Sequence, residues 1–346
     1  MILSLTACIT LGLSSSITIA QNTNTNGSQI YGLPHPKPKP AGTIRIAAYN
    51  VENLFDPFDD PTLQGKFDDA GMITEPTRCQ AVADAIHEVD ADIIGLEEIE
   101  SLKCLTWFRD NYLSDMGYKY LASKDVGYYR GIECSLMSRY PITNIEVRPG
   151  ISLDNVKREG PGWSPVPEKY QHGLKIQRSP LRVDIQVNKD YQLTLFVIHH
   201  KSGRDYRFQR EAEAVVNNQW INEVENKHPN ANIIVMGDFN AAPWDKSVRL
   251  YEQNGLVDTL TQRIIPHWKN ADQTEANLYK THDDGRVLDY IFMNSAAFRE
   301  FKVGSAHVFG TLTPPEGWDW RTDPHPAGYA SDHYPVIIDI TPHDQP

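Results

Sequence analysis

The sequence predicts an α/β fold in which two β-sheets pack face to face and helices cover their outer surfaces. Three observations support this fold class. Short apolar runs rich in isoleucine and valine recur along the chain, helical patterns separate some of these runs, and polar residues gather where the runs end. Short β-branched runs are typical of strands, and a chain that mixes strands with helices buries its apolar faces in layers.

The strand-like runs follow one another along most of the chain. They cover residues 44–49, 92–96, 134–137, 181–187, 193–198, 233–236, 287–292 and 336–340. Two helical patterns lie between them. Residues 76–89 begin with Pro76 and then place apolar residues at helical spacing, and residues 207–224 form the second pattern.

The composition is that of an ordinary globular protein with an acidic balance. Of its 346 residues, 40% are hydrophobic and 23% are charged, and the formal net charge is -12. A chain of this length and composition can bury a large core, so disorder is not expected. The acidity argues against a protein that coats nucleic acid, because such proteins present a basic face. It does not exclude an enzyme in which a bound cation supplies positive charge next to phosphate.

The chain divides into a leader, a linker, one domain and a short tail. Residues 1–20 are apolar and uncharged, which indicates a secretory signal peptide and a secreted or periplasmic protein. Lipid attachment at Cys8 is an alternative, because residues 5–8 resemble a lipoprotein cleavage site. Residues 21–42 contain a proline-rich run and predict a flexible linker. The single domain covers residues 43–342, and residues 343–346 form the tail.

Three cysteines follow the leader. In an exported protein, Cys79 can pair with Cys104 and leave Cys134 free. Cys134 lies in an apolar run and is expected to be a small buried hydrophobic residue. The spacing of cysteines and histidines does not resemble a zinc site.

Polar residues stand at the ends of the strand-like runs, where a buried chain tolerates them only with partners. They are Asn50 and Glu52, Glu97 and Glu98, His199 and His200, Asp238 and Asn240, Asp289, and Asp332 with His333. Each cluster alone has an ordinary explanation as a turn, a solvated face or the start of a strand. Six clusters at strand edges favour a shared site instead.

These segments resemble the endonuclease/exonuclease/phosphatase superfamily, and they follow the family's order. The matching motifs are Tyr-Asn-Val-Glu-Asn at 49–53, Gly-Leu-Glu-Glu at 95–98, Ser-Arg-Tyr-Pro-Ile at 138–142, His-x-Lys-Ser at 199–202, Gly-Asp-Phe-Asn at 237–240, Leu-Asp-Tyr-Ile at 288–291 and Ser-Asp-His-Tyr-Pro-Val at 331–336. The resemblance extends from about residue 44 to residue 340. It implies a four-layer α-β-β-α sandwich with two packed, mainly antiparallel sheets and an active site at one end.

The resemblance also implies a role for each motif residue. The implied metal ligands are Asn50, Glu98 and Asp332, and the implied catalytic residues are His199, Asp238, Asn240, Asp289 and His333. Glu97 replaces the family's usual Gln and is an alternative ligand, although the position after Leu96 favours Glu98. Residues expected to support the site or contact substrate are Glu52, Glu133, Arg178 and Arg204. For Glu133 and the two arginines, an ordinary strand carboxylate and exposed arginines without a specific role are the alternatives.

The residue types suit phosphoester chemistry. Carboxylate and amide oxygens are hard ligands, which favour Mg²⁺, Mn²⁺ or Ca²⁺ over zinc. Asp289 is expected to hold His333 in one tautomer and to favour its protonated form. Either Asp238 or His333 then activates a water, while Asn240 orients it and His199 stabilises the phosphoryl oxygens or protonates the leaving group.

The sequence therefore predicts an exported, metal-dependent phosphodiesterase that acts on nucleic acid, as a monomer without stable membrane insertion. A phosphatase or a lipid phosphodiesterase, of the inositol phosphate or sphingomyelin type, is the main alternative. No long basic stripe marks a duplex-binding groove, so the sequence does not decide between them. A binding module without catalysis is disfavoured, because the motif residues are all present. Loop tryptophans at 163, 244 and 318 either stack on a base or lipid or pack on the protein.

Overall fold

The computed structural model describes residues 27–61, 63, 72–260, 273–319 and 321–344. The predicted signal peptide, Cys8 and the first part of the linker lie outside them. Within the described residues, twelve strands form two six-stranded sheets. In chain order the strands are β1 (Ile44–Leu54), β2 (Ile93–Ile99), β3 (Tyr120–Ser123), β4 (Glu133–Ser138), β5 (Ile142–Val147), β6 (Leu181–Asn188), β7 (Tyr191–His199), β8 (Asn232–Asp238), β9 (Val257–Asp258), β10 (Asp289–Met293), β11 (His307–Val308) and β12 (Val336–Ile340).

The first sheet has the strand order β11-β12-β1-β2-β4-β3, and the second has the order β5-β6-β7-β8-β10-β9. The helices are α1 (Pro76–Val89), α2 (Leu102–Tyr112), α3 (Arg207–Lys227), α4 (Lys246–Gln253), α5 (Gln273–Asn277) and α6 (Ser295–Glu300). α1 and α2 share an apolar cluster with the first sheet, and α3 and α4 share another with the second. In the described part of the chain, no helix combines the length and apolarity needed to cross a bilayer.

The central strands are buried on both faces. In β1, Ile46 and Ala48 belong to the core between the sheets, whereas Ala47 and Tyr49 belong to the cluster shared with α1 and α2. Successive side chains of a strand point to opposite faces, so a strand between two apolar layers is apolar at every position. The layers are helix, sheet, sheet and helix. The predicted α/β sandwich is thereby confirmed.

Parallel pairing at the centre of each sheet gathers the strand ends. β1 runs parallel to β2, and β7 runs parallel to β8, while the outer neighbours are antiparallel. The carboxyl ends of these four strands therefore meet the amino ends of β10 and β12 at one rim. Asp238 is the register partner of both His199 and Asp289. Segments that are distant in sequence thus become neighbours.

Several elements lack a clear signal in the sequence pattern. The helix predicted at 76–89 coincides with α1, and the one predicted at 207–224 continues to Lys227. β3 and β5 are not predicted. Each is an edge strand that is only partly buried, so its sequence lacks the continuous apolar run of a central strand. α2 is not predicted either. Its local signal is a cap, in which the side chain of Ser101 accepts a hydrogen bond from the Cys104 N–H.

The described part of the predicted flexible linker, residues 27–42, is bound to the domain. Leu33 forms a β-bridge with Phe309. The Nζ of Lys37 donates to the carbonyl oxygen of Ala306 at 3.1 Å. A proline-rich segment makes few hydrogen bonds of its own, and the first sheet supplies partners for it here. This part of the chain is a strap on the domain and not a free tether.

Cys79 and Cys104 are buried free thiols, so the disulfide considered from the sequence does not form. The Cys79 Sγ lies 3.7 Å from the carbonyl oxygen of Thr74, and the Cys104 Sγ lies 3.3 Å from that of Leu54. Each thiol sits in the apolar layer between its helix and the first sheet. Both behave as small hydrophobic residues.

A buried ion pair joins β1 to β12. Arg45 Nε donates to Asp339 Oδ1 at 2.8 Å, and Arg45 Nη2 donates to Oδ2 at 3.1 Å. We expect Arg45→Met to lower the free energy of unfolding by about 3–5 kcal/mol in urea titration, because Asp339 keeps a buried charge without its partner. Lys189→Ala removes an exposed ion pair with Asp190, and its effect should stay within about 0.5 kcal/mol. Equal losses in the two variants would contradict this account.

Candidate active site

A pocket of about 890 Å³ opens at the rim where the strand ends meet. The predicted site residues that line it are Glu52, Glu98, His199, Arg204, Asp238, Asn240, Asp332 and His333. The predicted site residues that are buried without lining it are Asn50, Glu133, Arg178 and Asp289. The structure therefore brings the predicted residues to one end of the sandwich and separates those that face the pocket from those behind it.

A bulge decides which of two adjacent glutamates faces the pocket. The pairing of β2 with β4 shifts register between Glu97 and Ile99, and Glu98 has a φ of 67°. A bulge with a left-handed residue turns one side chain out of the regular alternation. Glu98 therefore lines the pocket, whereas Glu97 is fully buried. Burial and the carboxylates of Asp289 and Asp238 raise the pKa of Glu97 well above its usual value.

Two hydrogen-bond donors hold Glu98 in place. Its Oε2 accepts hydrogen bonds from the Asn53 N–H at 3.1 Å and from Arg130 at 3.3 Å. Its Oε1 lies 3.5 Å from Nε2 of His199. Such contacts fix a carboxylate before a ligand binds, which is the arrangement expected of a metal-binding group.

Asn50 supports the site from behind. Its Nδ2 donates to Asp238 at 3.3 Å, and its Oδ1 accepts a hydrogen bond from the Glu52 N–H at 3.0 Å. Asn50 does not line the pocket, and its amide oxygen accepts one backbone hydrogen bond, so its role as a metal ligand stays a prediction. Glu52 faces the pocket instead. Burial and the neighbouring Asp332 carboxylate raise the pKa of Glu52 to about 8.

Asp289 and His333 form a buried pair. Oδ2 of Asp289 lies 2.9 Å from Nδ1 of His333. Burial opposes a charge on this imidazole, but the carboxylates of Asp289, Asp332 and Asp238 outweigh it and raise the pKa of His333 to about 10. The Nε2 of His333 lies 3.9 Å from Asp238 and 3.9 Å from Asp332. His333 is thus held as an imidazolium with Nε2–H among the site carboxylates.

Asp238 and Asn240 form a closed turn after β8. The Asn240 N–H donates to Asp238 Oδ1 at 2.7 Å, and the Asn240 Nδ2 donates to Oδ2 at 2.6 Å. Burial raises the pKa of Asp238 to about 6, although His333 opposes the shift. At neutral pH this carboxylate is ionised and is a stronger proton acceptor than an exposed aspartate.

The two histidines at the end of β7 have separate surroundings. His199 accepts a hydrogen bond from the buried Arg178, and burial together with that guanidinium holds the pKa of His199 well below its usual value. His200 Nε2 lies 2.9 Å from the Tyr251 hydroxyl and 3.2 Å from the Asn217 amide. Burial lowers the pKa of His200 to about 3. His200 therefore belongs to the packing of α3 and α4, and His199 belongs to the site.

Of the remaining predicted residues, Glu133 and Arg178 are buried, and Arg204 is exposed at the pocket. Glu133 accepts a hydrogen bond from the Val126 N–H at 3.1 Å, and burial raises its pKa to about 9. Among the described residues, Glu133 makes no hydrogen bond or ion pair with His199, which corrects the support suggested by the sequence. Arg178 is buried and lies behind His199, and its Nε and Nη2 have no hydrogen-bond partner in the described part of the chain. Arg204 is exposed and lines the pocket.

His282 joins the site although the sequence pattern does not single it out. Its Nε2 lies 3.5 Å from Asp332, and its ring packs against that of His333 with centroids 4.7 Å apart. Burial opposes its charge, but Asp283, Asp284 and Asp332 raise the pKa of His282 to about 12. The only signal in the sequence is a polar run, Thr-His-Asp-Asp at 281–284, shortly before the strand-like run at 287–292.

Arg78 and Tyr329 also act behind the site. The guanidinium of Arg78 donates to four carbonyl oxygens, three in residues 51–53 and one in Ala330. It thereby ties the end of β1 to the segment before β12. The Tyr329 hydroxyl donates to Glu52 at 2.6 Å. No feature of the local sequence around Arg78 distinguishes it from an ordinary helical arginine.

The pocket fits a hard divalent cation. Glu52, Glu98 and Asp332 present carboxylate oxygens to it, and the pKa of Glu52 is raised first by burial and then by this crowding with the Asp332 carboxylate. A cation relieves such crowding. The ligand atoms of His282, Asp332 and His333 lie within 4.8 Å of one another, but both imidazoles are held protonated beside these carboxylates, so the oxygens are the groups that suit a cation. An oxygen-rich set suits Mg²⁺, Mn²⁺ or Ca²⁺.

A two-sheet α/β sandwich with carboxylates and a paired histidine at one rim has the architecture of a hydrolase of phosphate esters. The chain belongs to the Endonuclease/Exonuclease/phosphatase family, whose sequence model matches residues 48–333. Enzymes of this family hydrolyse phosphoesters and generally depend on divalent metal ions. None of the curated proteins matches this chain in sequence.

Solved structures share the fold at low sequence identity. The catalytic domain of human Nocturnin is 16% identical with a TM-score of 0.56, over 87% of this chain and 95% of that one. Truncated TDP2 from Caenorhabditis elegans is 15% identical with a TM-score of 0.50, over 86% and 97%. The mannosyl-6-phosphatase Bt3783 from Bacteroides thetaiotaomicron is 18% identical with a TM-score of 0.50, over 85% and 98%. These likenesses show the fold and leave the substrate open.

Substitution of Glu98 and substitution of Glu97 should have different effects on activation by metal. We expect Glu98→Gln to raise the metal concentration that gives half-maximal activity by about 10–100-fold or more. Loss of a group that only supports a metal ligand already costs about 10–100-fold in metal affinity, and Glu98 is expected to be a ligand itself. Glu97→Gln should leave metal activation near that of the wild type, because its side chain is buried and does not line the pocket. Titration with Mn²⁺ on bis-p-nitrophenyl phosphate measures both. The reverse order of effects would make Glu97 the ligand.

The two adjacent histidines provide a second matched comparison. We expect His199→Gln to lower kcat on bis-p-nitrophenyl phosphate by about 10²–10⁴-fold, the usual cost of removing a group at a catalytic centre. His200→Gln should keep the kcat of the folded fraction and lower the melting temperature, because His200 packs on Tyr251 and Asn217. A large loss of kcat in a stable His200→Gln protein would refute the assignment.

Proposed function

We propose that the protein is an exported, divalent-metal-dependent phosphodiesterase that hydrolyses nucleic acid. The supporting observation is an open pocket of about 890 Å³ that is lined by cationic side chains from two separate segments of the chain. Arg204 comes from the β7–α3 connection and Arg207 from the first position of α3, and Lys280 and Arg286 come from the connection before β10. The volume lies at the upper end of the range for small-molecule sites. A phosphodiester with a chain on each side uses this space better than a small monoester does.

The carboxylates at the rim hold the cation in this proposal. Glu98, Asp332 and Glu52 are its oxygen ligands. When bound, the cation polarises a phosphoryl oxygen and offsets the negative charge that grows during attack. His333 directs its Nε2–H toward the same space, while Asp289 keeps the other ring proton on Nδ1. The imidazolium therefore stabilises the developing charge or donates a proton to the leaving oxygen.

Asp238 is the general base in this proposal. Its raised pKa of about 6 leaves it ionised at neutral pH and ready to accept a proton from water. Asn240 holds both carboxylate oxygens through its backbone and side-chain N–H groups. His199 lies 3.5 Å from both Glu98 and Asp238 and is kept neutral. Its Nε2 accepts the hydrogen bond from Arg178, so the neutral ring packs between the ligand carboxylate and the base and donates to neither through that nitrogen.

Export is the second part of the proposal. The apolar, uncharged segment of residues 1–20 supports a secretory signal peptide, with lipid attachment at Cys8 as the alternative. A nuclease in the periplasm or the medium meets its substrate without access to the cell's own nucleic acid. Residues 1–26 lie outside the described part of the chain.

A substrate panel tests the proposed reaction. Single-stranded and plasmid DNA, RNA, bis-p-nitrophenyl phosphate, a sugar monophosphate, inositol phosphates and sphingomyelin vesicles are each incubated with Mg²⁺, Mn²⁺, Ca²⁺ or a chelator. We expect cleavage of nucleic acid and of the small diester, loss of both with chelator, and recovery with added metal, because the rim carboxylates need a cation to bind phosphate. His333→Ala is the inactive control. Faster release of phosphate from monoesters than cleavage of any diester would favour the phosphatase instead.

A further inference from the structure

We propose that Trp244, Arg204 and Arg207 form a nucleotide subsite beside the catalytic residues. Its ligand is the nucleotide next to the scissile phosphate, with the base stacked on Trp244 and a flanking phosphate bound by the two arginines. This inference rests on the proposed function and specifies how that substrate is held.

Trp244 presents an indole ring at the pocket. The residue is 60% exposed and lines the pocket together with Asp238. The turn that carries it is well fixed. The Asp245 N–H donates to the Ala242 carbonyl at 2.9 Å, and the Ala242 N–H donates to the Asp245 carboxylate at 3.0 Å. Single exposed aromatic residues are ordinary on protein surfaces, so the position matters more than the exposure. A ring on a fixed turn stacks on a ligand at little cost in entropy.

The other two loop tryptophans differ from Trp244 in exposure or position. Trp318 lines the pocket but is only partly exposed. Trp163 does not line the pocket. Trp244 lines the pocket and is 60% exposed, so it is the tryptophan best placed to meet a substrate.

Arg204 and Arg207 line the pocket in the segment that follows His199. No acidic side chain pairs with Arg204 within the described ranges, and the pair of Arg207 with Asp245 spans 3.9 Å while the Arg207 side chain is 58% exposed. Arg210, in contrast, is buried and donates to the Lys201 carbonyl, which fixes the segment. Two exposed guanidinium groups in a chain of net charge -12 mark a local preference for an anion.

The combination of an indole with two arginines indicates a nucleotide among the phosphate esters. A nucleobase stacks on an aromatic ring whatever its identity, and the next phosphate of the strand lies within reach of neighbouring cations. Guanidinium groups bind phosphate through paired N–H donors. An inositol phosphate carries no aromatic ring for Trp244. A sphingomyelin headgroup offers the indole a quaternary ammonium, but the neighbouring cations Arg204 and Arg207 repel that group. The subsite therefore favours a nucleic-acid strand over the lipid and inositol substrates.

A double-substitution cycle between Trp244 and the base tests this subsite. kcat/KM is measured with Mn²⁺ for a short single-stranded oligonucleotide that contains one cleavable bond. Two further substrates lack the base on the 5′ or the 3′ side of that bond. The proteins are wild type, Trp244→Ala, Trp244→Phe and Trp163→Ala, the last as a control tryptophan that does not line the pocket. Melting temperatures check that each variant is folded.

We expect Trp244→Ala to lower kcat/KM for the intact oligonucleotide by about 5- to 150-fold, the range that corresponds to one stacked base, mainly through KM. Removal of the base that stacks on Trp244 should lower the kcat/KM of the wild type by a similar factor. On that abasic substrate, Trp244→Ala should cause no further loss of kcat/KM. Trp244→Phe should recover part of the activity, and Trp163→Ala should match the wild type. Equal losses on the intact and on both abasic substrates would overturn the subsite, whereas an inactive wild type would overturn the proposed function itself.

The arginines are tested with a neutral linkage. A methylphosphonate replaces the phosphate that flanks the cleaved bond, on either side. We expect Arg204→Ala with Arg207→Ala to raise KM for the phosphate substrate and to leave KM for one of the methylphosphonate substrates unchanged. Lys189→Ala removes an exposed lysine elsewhere and should affect none of them. Equal increases in KM for all substrates would exclude a phosphate at these arginines.

Discussion

The site depends on one constraint of the backbone, which is the parallel pair of strands at the centre of each sheet. β1 and β2 end at the same edge of the first sheet, and β7 and β8 end at the same edge of the second. Their antiparallel neighbours β12 and β10 begin there. A polar side chain can leave an apolar sandwich only at such an edge. Six strand ends at one rim therefore bring the polar residues that end these strands together in a single place.

This concentration has an electrostatic cost that is confined to the rim. Burial raises the pKa of Asp238, Glu52 and Glu97, and protonated His333 and His282 offset only part of the negative charge. The backbone carries strain at the same positions. Non-glycine residues with positive φ in the site segments are Glu52, Asn53, Glu98 and Asn240. Strain and crowded charge of this kind persist where the surrounding core holds them and where a ligand relieves them. A divalent cation relieves the charge.

The sequence predicts the sandwich well, because strands buried on both faces are apolar at every position and their polar ends stand out. It also predicts the neighbours Asp289 and His333, since each stands at a strand end. It does not predict Arg78, whose four carbonyl partners come together only when two distant loops meet. His282 is missed for a similar reason, because its bridge to His333 joins two loops. The proline-rich strap is missed because composition does not reveal which carbonyl groups bind Lys37.

The acidity of the chain is compatible with an anionic substrate because charge is distributed unevenly. The rim carboxylates supply the negative charge that binds a cation, and that cation then attracts phosphate at close range. The cationic side chains of the pocket stand beyond this centre, at the start of α3 and in the connections before α3 and before β10. Long-range attraction is therefore weak, and binding depends on contacts made within the pocket. In the proposed function, the metal and the local arginines recognise the phosphate ester, and the extended basic surface that duplex-coating proteins use is not required.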